Sequence, residues 1–112
     1  RSRGVKLNAS FCTNKGDKKT VSSFIKRGLS KNSPVLLLIG FRPELNNCQI
    51  IYPDRTRTHS CNRHWVTITE FQEEKNSGQR SIKVSTWGGY TYLSLDDLML
   101  NRRLYRRLVY FS

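Results

Sequence analysis

Residues 34–41 read PVLLLIGF, five consecutive aliphatic side chains between a proline and a glycine-aromatic pair. A run this short is no helix in its own right and falls far short of the roughly 20 residues that cross a bilayer. Bounded by turn-forming residues, it predicts a central strand buried on both faces. Upstream, Val21, Phe24, Ile25 and Leu29 recur at helical spacing, with Lys18, Lys19, Lys26 and Arg27 on the opposite side. Asp17 or Thr20 supplies an N-cap oxygen, Gly28 falls where a helix tolerates it, and KNSP ends the helix because the residue before Pro34 avoids the α region.

Downstream of the apolar run, RPELNNCQIIYPDRTRTHSCNR is long for a loop in a small domain, with CQIIY able to form a short strand. In RHWVTITEF, residues 63–71, Val66 and Ile68 alternate with Thr67 and Thr69, which predicts a half-buried strand opening at His64 and Trp65. EEKNSGQR closes a hairpin, SIKVSTW returns with Ile82 and Val84 inward, GG breaks the strand, and YTYLSL resumes it. Ser94 caps a helix over LDDLML, where Asp96 and Asp97 favour the positive end of the helix dipole. The tail NRRLYRRLVYFS either prolongs that helix or adds a strand at the sheet edge. Residues 1–16 are polar and without period, a flexible basic arm whose LNASFC can pair at an edge, and residues 17–112 form a single α+β domain.

The chain has 112 residues, enough for one core, and its 37% hydrophobic and 25% charged residues, with the apolar ones in periodic clusters, argue against intrinsic disorder. No apolar span or signal core is visible, so a soluble chain is expected. Twenty Lys and Arg against eight Asp and Glu give a net charge of +12, a self-repulsion that a polyanionic partner would offset. Nucleic acid is the commonest such partner; an acidic protein or an anionic membrane surface would also serve. The three cysteines, Cys12, Cys48 and Cys61, have no CxxC spacing and give neither a zinc site nor a disulfide framework. A single Cys48–Cys61 bridge and three free thiols remain equally compatible with the sequence.

The runs SFIKRGLSKNSPVLLLIGF, HWVTITEF and IKVSTWGGYTYLSLDDLM, in that order, resemble the second half of a papain-like cysteine peptidase, in the branch of the bacteriocin-processing double-glycine peptidases. The likeness covers residues 22–99. It implies a papain-like half-fold, an antiparallel sheet flanked by an N-terminal helix and a short C-terminal helix. It implies that His64 is the general base and that the residue orienting it lies just before Trp87, where this chain has Ser85 and Thr86. The family's nucleophile begins an apolar helix well upstream. Cys12 is the one cysteine so placed, but TNKGDKK follows it rather than an apolar helix. Cys48 and Cys61 read as small half-buried thiols.

The missing helix has two explanations: a chain that is part of a longer peptidase, or a scaffold turned to other chemistry, as in bacterial polymorphic and contact-dependent toxin domains. Thiol peptidases have no physical need for the +12 charge, whereas a phosphodiester substrate gains from every bound cation. The expected function is therefore metal-independent cleavage of RNA, with tRNA a plausible target, by a toxin domain secreted by the producing bacterium, acting in the target-cell cytoplasm and neutralised by an acidic immunity protein. No cofactor is implied. His64 would act as acid or base, supported by Arg55, Arg57, His59 and Arg63, while Thr67, Ser85 and Tyr90 hold a phosphate oxygen. Arg102, Arg103, Arg106 and Arg107, with Tyr105 between them, form either a second phosphate grip or a solvated face. The rivals are a cysteine peptidase or amidase using Cys12 and His64, and a non-catalytic nucleic-acid-binding module in which His64 is structural.

Overall fold

The computed structural model of the chain describes residues 9–13, 18–40, 43–100 and 105–111. In chain order the elements are β1 (Ala9–Thr13), α1 (Lys18–Ser30), β2 (Val35–Ile39), a 3-10 turn (Pro43–Asn47), β3 (Cys48–Ile51), β4 (Thr56–His59), β5 (His64–Glu73), β6 (Arg80–Thr86), β7 (Gly89–Ser94), α2 (Leu95–Leu100) and β8 (Tyr105–Phe111). The strands make one antiparallel sheet in the order β1-β8-β2-β5-β6-β7-β3-β4. This is an α+β domain with both helices on one face of the sheet, because Val21, Phe24 and Ile25 of α1 and Leu95 and Leu98 of α2 share a single core with Val66, Ile68, Ile82 and Val84.

Helix α1 stops as its sequence demands. Asn32 adopts a left-handed backbone at φ 55°, the N–H of Ser33 donates to the Gly28 carbonyl, and the N–H of Asn32 to that of Leu29. This is the paired closure of a Schellman motif, with asparagine in the position that glycine usually takes. Gly28 is more than tolerated. A Cβ there would lie 2.6 Å from Val35 Cγ2 and 2.9 Å from the Tyr110 ring, so its absence lets the helix lie directly on β2 and β8. Helix α2 begins with the Ser94 hydroxyl accepting the Asp97 N–H at 3.2 Å. Asp96 turns instead to β6, accepting the Arg80 backbone N–H at 2.8 Å.

The folded chain departs from expectation at β2 and at the tail strand. Strand β2 is fully buried on one face only: Val35, Leu37 and Ile39 enter the core, while Leu36 and Leu38 are half-buried on the other side. An antiparallel sheet with its helices on one face needs no second apolar layer. The tail strand is not at the edge, since β8 pairs with β1 on one side and β2 on the other. Residues 9–13 of the arm form the edge strand β1, the pairing open to LNASFC; residues 1–8 and 14–17, with Asp17 among them, lie outside the described residues. The long loop proves to be the 3-10 turn and a hairpin of β3 and β4, closed by the Tyr52 N–H donating to the Arg55 carbonyl at 2.8 Å.

Candidate active site: two imidazoles on one indole

The site grows from the turn between β6 and β7. Thr86 pairs with Gly89, leaving Trp87 at φ 53° and Gly88 at φ 77° as the two central residues. Two positive φ values in a two-residue hairpin make a type I′ turn, a backbone that asparagine and glycine favour and a bulky aromatic resists. The surroundings hold Trp87 there. Its indole N–H donates to the Ser60 carbonyl at 3.1 Å, and its own carbonyl accepts the Tyr52 hydroxyl. Beside it, Gly89 lets β3 approach, for a Cβ would lie 2.7 Å from both Ile50 Cγ2 and the Ile51 carbonyl oxygen.

Two histidines lie against this indole. The His64 ring is stacked on it at 4.8 Å between centroids and 10° between planes, and the His59 ring at 5.1 Å and 15°. His59 ends β4, an edge strand, while His64 opens β5 deep in the sheet. The four residues between them carry the chain across, pinned where the Cys61 N–H donates to the Leu45 carbonyl and the Arg63 N–H to the Gly40 carbonyl, both at 2.8 Å. Arg63 reaches β5 through a left-handed φ of 49°.

His64 Nε2 lies 2.7 Å from the Thr86 hydroxyl oxygen, and Thr86 is buried. Whichever of the two atoms donates, the bond sets the tautomer and aims the ring, leaving Nδ1 as the second functional nitrogen. Strand parity explains why Thr86 meets the imidazole. Ile82, Val84 and Thr86 occupy the core face of β6, and His64, Val66 and Ile68 the core face of β5. Ser85 and Thr67 are direct cross-strand partners on the other face. The structure thus brings Thr86 to His64 and leaves Ser85 and Thr67 across the sheet from it.

Cys12 stands in β1, paired with Leu108, so β8 and β2 both intervene before β5. Three strand spacings separate them, roughly 14 Å of sheet. Cys48 and Cys61 are buried and carry free thiols. Both converge on the Leu45 carbonyl, Cys48 through Sγ at 3.7 Å and Cys61 through its N–H. The neighbouring Cys61 lowers the Cys48 pKa against the opposing effect of burial, while Cys48 and burial together push Cys61 up. Neither thiol points to a nucleophile at the histidines.

Among the expected cations, Arg57 is exposed on the same side of β4 as His59, two residues away. Arg63 is exposed next to His64. Arg55 is engaged by Asp54 at 2.9 Å and lies over the Tyr52 ring. Arg107 is exposed on β8, whereas Arg102, Arg103 and the side chain of Arg106 lie outside the described residues. No group of three His, Cys, Asp or Glu side chains able to hold a metal occurs among the described residues. Sequence reasoning offered Ser85 and Thr86 together at the orienting position without choosing Thr86, and it passed over Trp87 as a platform shared by two histidines. The inward parity of Ile82 and Val84 was the signal that could have found Thr86.

Compared with known proteins, the chain matches no family model and no curated protein.

Proposed function

We propose that the chain is a metal-independent ribonuclease in which His64 and His59 act as the acid–base pair. The observation that carries this reading is the stacking of both imidazoles on Trp87, with His64 held by Thr86. Transesterification of RNA needs a base to take the 2′-hydroxyl proton, cations for the charge on the five-coordinate phosphorus, and an acid for the departing 5′ oxygen. Histidine is the side chain suited to both proton transfers near neutral pH. One imidazole removes the proton as the 2′ oxygen attacks phosphorus, and the other protonates the 5′ oxygen as its bond to phosphorus breaks. The products are a 2′,3′-cyclic phosphate and a free 5′ hydroxyl. Arg57 and Arg63 supply positive charge around the phosphate.

The topology we assign is papain-like. Supporting it are α1 leading into β2, β5 opening on His64, β6 ending at Trp87–Gly88, and β7 running into α2. In this reading Thr86 fills the family's orienting position with a hydroxyl instead of a carboxylate, and the cysteine has no counterpart beside His64. The biological setting we propose is a toxin domain exported by a bacterium and active on RNA, tRNA included, in a target cell's cytoplasm. An acidic immunity protein would cover the basic surface. No helix among the described residues is long and apolar enough to cross a membrane.

The test is cleavage of total RNA in EDTA with mapping of the product ends. The parent should leave 2′,3′-cyclic phosphates and spare 2′-O-methyl RNA, and His64→Ala and His59→Ala should each lose 100-fold or more, within the usual range for one acid–base group. An acid–base pair should also give a bell-shaped pH–rate profile that loses one limb in each single variant. Cleavage undiminished in His64→Ala would overturn the proposal, as would its abolition by thiol alkylation.

A further inference from the structure

Behind the histidines lies the sheet face that neither helix covers, and it carries a pattern unlike an ordinary solvated face. Thr67, Ser85 and Tyr90 stand directly opposite one another across β5, β6 and β7, a cross-strand row of three hydroxyl-bearing residues. One step along the strands, Lys83 pairs with Tyr92 and sets its ammonium group 4.4 Å from the centroid of the Tyr90 ring. Tyr90 and Tyr92 meet edge to face at 5.9 Å. Trp65, two residues from Thr67 and adjacent in sequence to His64, is 44% exposed, and Tyr92 is 52% exposed. A shallow groove of about 750 Å³ runs along this face between Tyr52, Thr69, Lys83 and Tyr90.

Flat aromatic rings at a two-residue repeat, hydroxyls between them and a cation beside them are what an unpaired nucleic-acid strand uses: bases stack on rings, and phosphates meet hydroxyl and ammonium groups. A duplex hides its bases and would gain only the charge. The net charge of +12 favours a polyanion over an apolar occupant. We infer that the open face of β5, β6 and β7 is a binding platform for single-stranded RNA, on which Trp65, Tyr90 and Tyr92 stack bases and Lys83, Ser85 and Thr67 meet the phosphates. This rests on the ribonuclease reading and gives its substrate a form. A strand lying from Tyr92 to Trp65 arrives at the start of β5, where Trp65 and its neighbour His64 belong to opposite faces of the sheet, so the platform feeds single-stranded segments over the rim to the two imidazoles. Among the described residues lining the groove Glu70 is the one carboxylate, and it holds Lys83 at 3.4 Å. It therefore competes with phosphate for the same ammonium group.

Binding is measured by fluorescence anisotropy with a labelled single-stranded 2′-O-methyl oligonucleotide, which lacks the attacking hydroxyl and survives intact. Trp65→Ala and Tyr92→Ala should each weaken binding about tenfold, Tyr92→Phe should retain it because the ring remains, and Glu70→Gln should tighten it. A duplex of the same sequence should bind more weakly and respond little to the aromatic variants. The platform is overturned if folded Trp65→Ala and Tyr92→Ala bind the single strand as the parent does, or if the duplex binds equally well. Should the oligonucleotide bind with this pattern while unmodified RNA stays whole, the ribonuclease reading fails and the platform stands. Cleavage at the parent rate by both aromatic variants, with binding unchanged, gives the converse.

Discussion

Trp87 is the residue on which the proposed chemistry turns, and its backbone tells why its presence is unusual. A type I′ turn accepts asparagine at the first central position with little strain, whereas a tryptophan at φ 53° has to be held by what it touches. The indole returns two stacking contacts and one hydrogen bond, and stacked ring pairs contribute about 0.5–1.5 kcal/mol each. Those gains and the relief of strain are of similar size. Trp87→Asn should therefore leave the thermal unfolding midpoint within a few degrees of the parent while RNA cleavage falls at least tenfold. A collapse in stability would show that the indole serves the fold, and unchanged cleavage would remove it from the site. Thr86→Val makes the complementary test, keeping shape while deleting the bond that aims His64. It should reduce the turnover number with little change in KM.

At the level of elements, the docking of α1 is where a single methyl group decides most. Replacing a helical glycine with alanine ordinarily gains about 1 kcal/mol of helix propensity. At Gly28 the new Cβ would meet Val35 and Tyr110 at 2.6–2.9 Å, well inside contact distance, on a helix pressed against two strands. Overpacking of that kind costs about 1–3 kcal/mol, so the net sign reverses. Gly28→Ala should lower the urea midpoint with an unchanged slope; a raised midpoint would mean that the helix can lift off the sheet without cost. The sequence announced α1 through its period and β5 and β6 through their alternation. The same alternation, carried from Val66 back to His64 and from Val84 on to Thr86, already sorts Thr86 to the imidazole's face and Ser85 and Thr67 to the other. It did not announce that the tail joins β1 to β2, since an isolated run such as RRLYRRLVYF does not encode which neighbours it pairs with.

Across the whole molecule, charge sets two responses of opposite sign. Twenty Lys and Arg stand against eight Asp and Glu, and among the described residues Asp54, Glu70, Glu73 and Asp96 are each already paired with an arginine or lysine. Like charges repel across the folded surface, and salt screens them over about 8–10 Å at physiological strength. Raising the salt from about 50 to 300 mM should therefore raise the melting temperature while weakening RNA binding steeply, with log K falling linearly in log salt. A melting temperature that falls with salt would mean that the ion pairs matter more than the repulsion.

The sequence by itself determined the α+β class, the helical face of α1, the strand parity that aims His64, and the net charge of +12. These are local or summed properties, set by the spacing of side chains along a few residues or by counting charges. Only the tertiary structure decided that His59 and His64 meet on one indole, that β8 lies inside the sheet, and that neither helix packs on one face of β5, β6 and β7. Each of those depends on which distant segments pair, and pairing is settled by the packing of the whole core, a quantity no single stretch of chain contains.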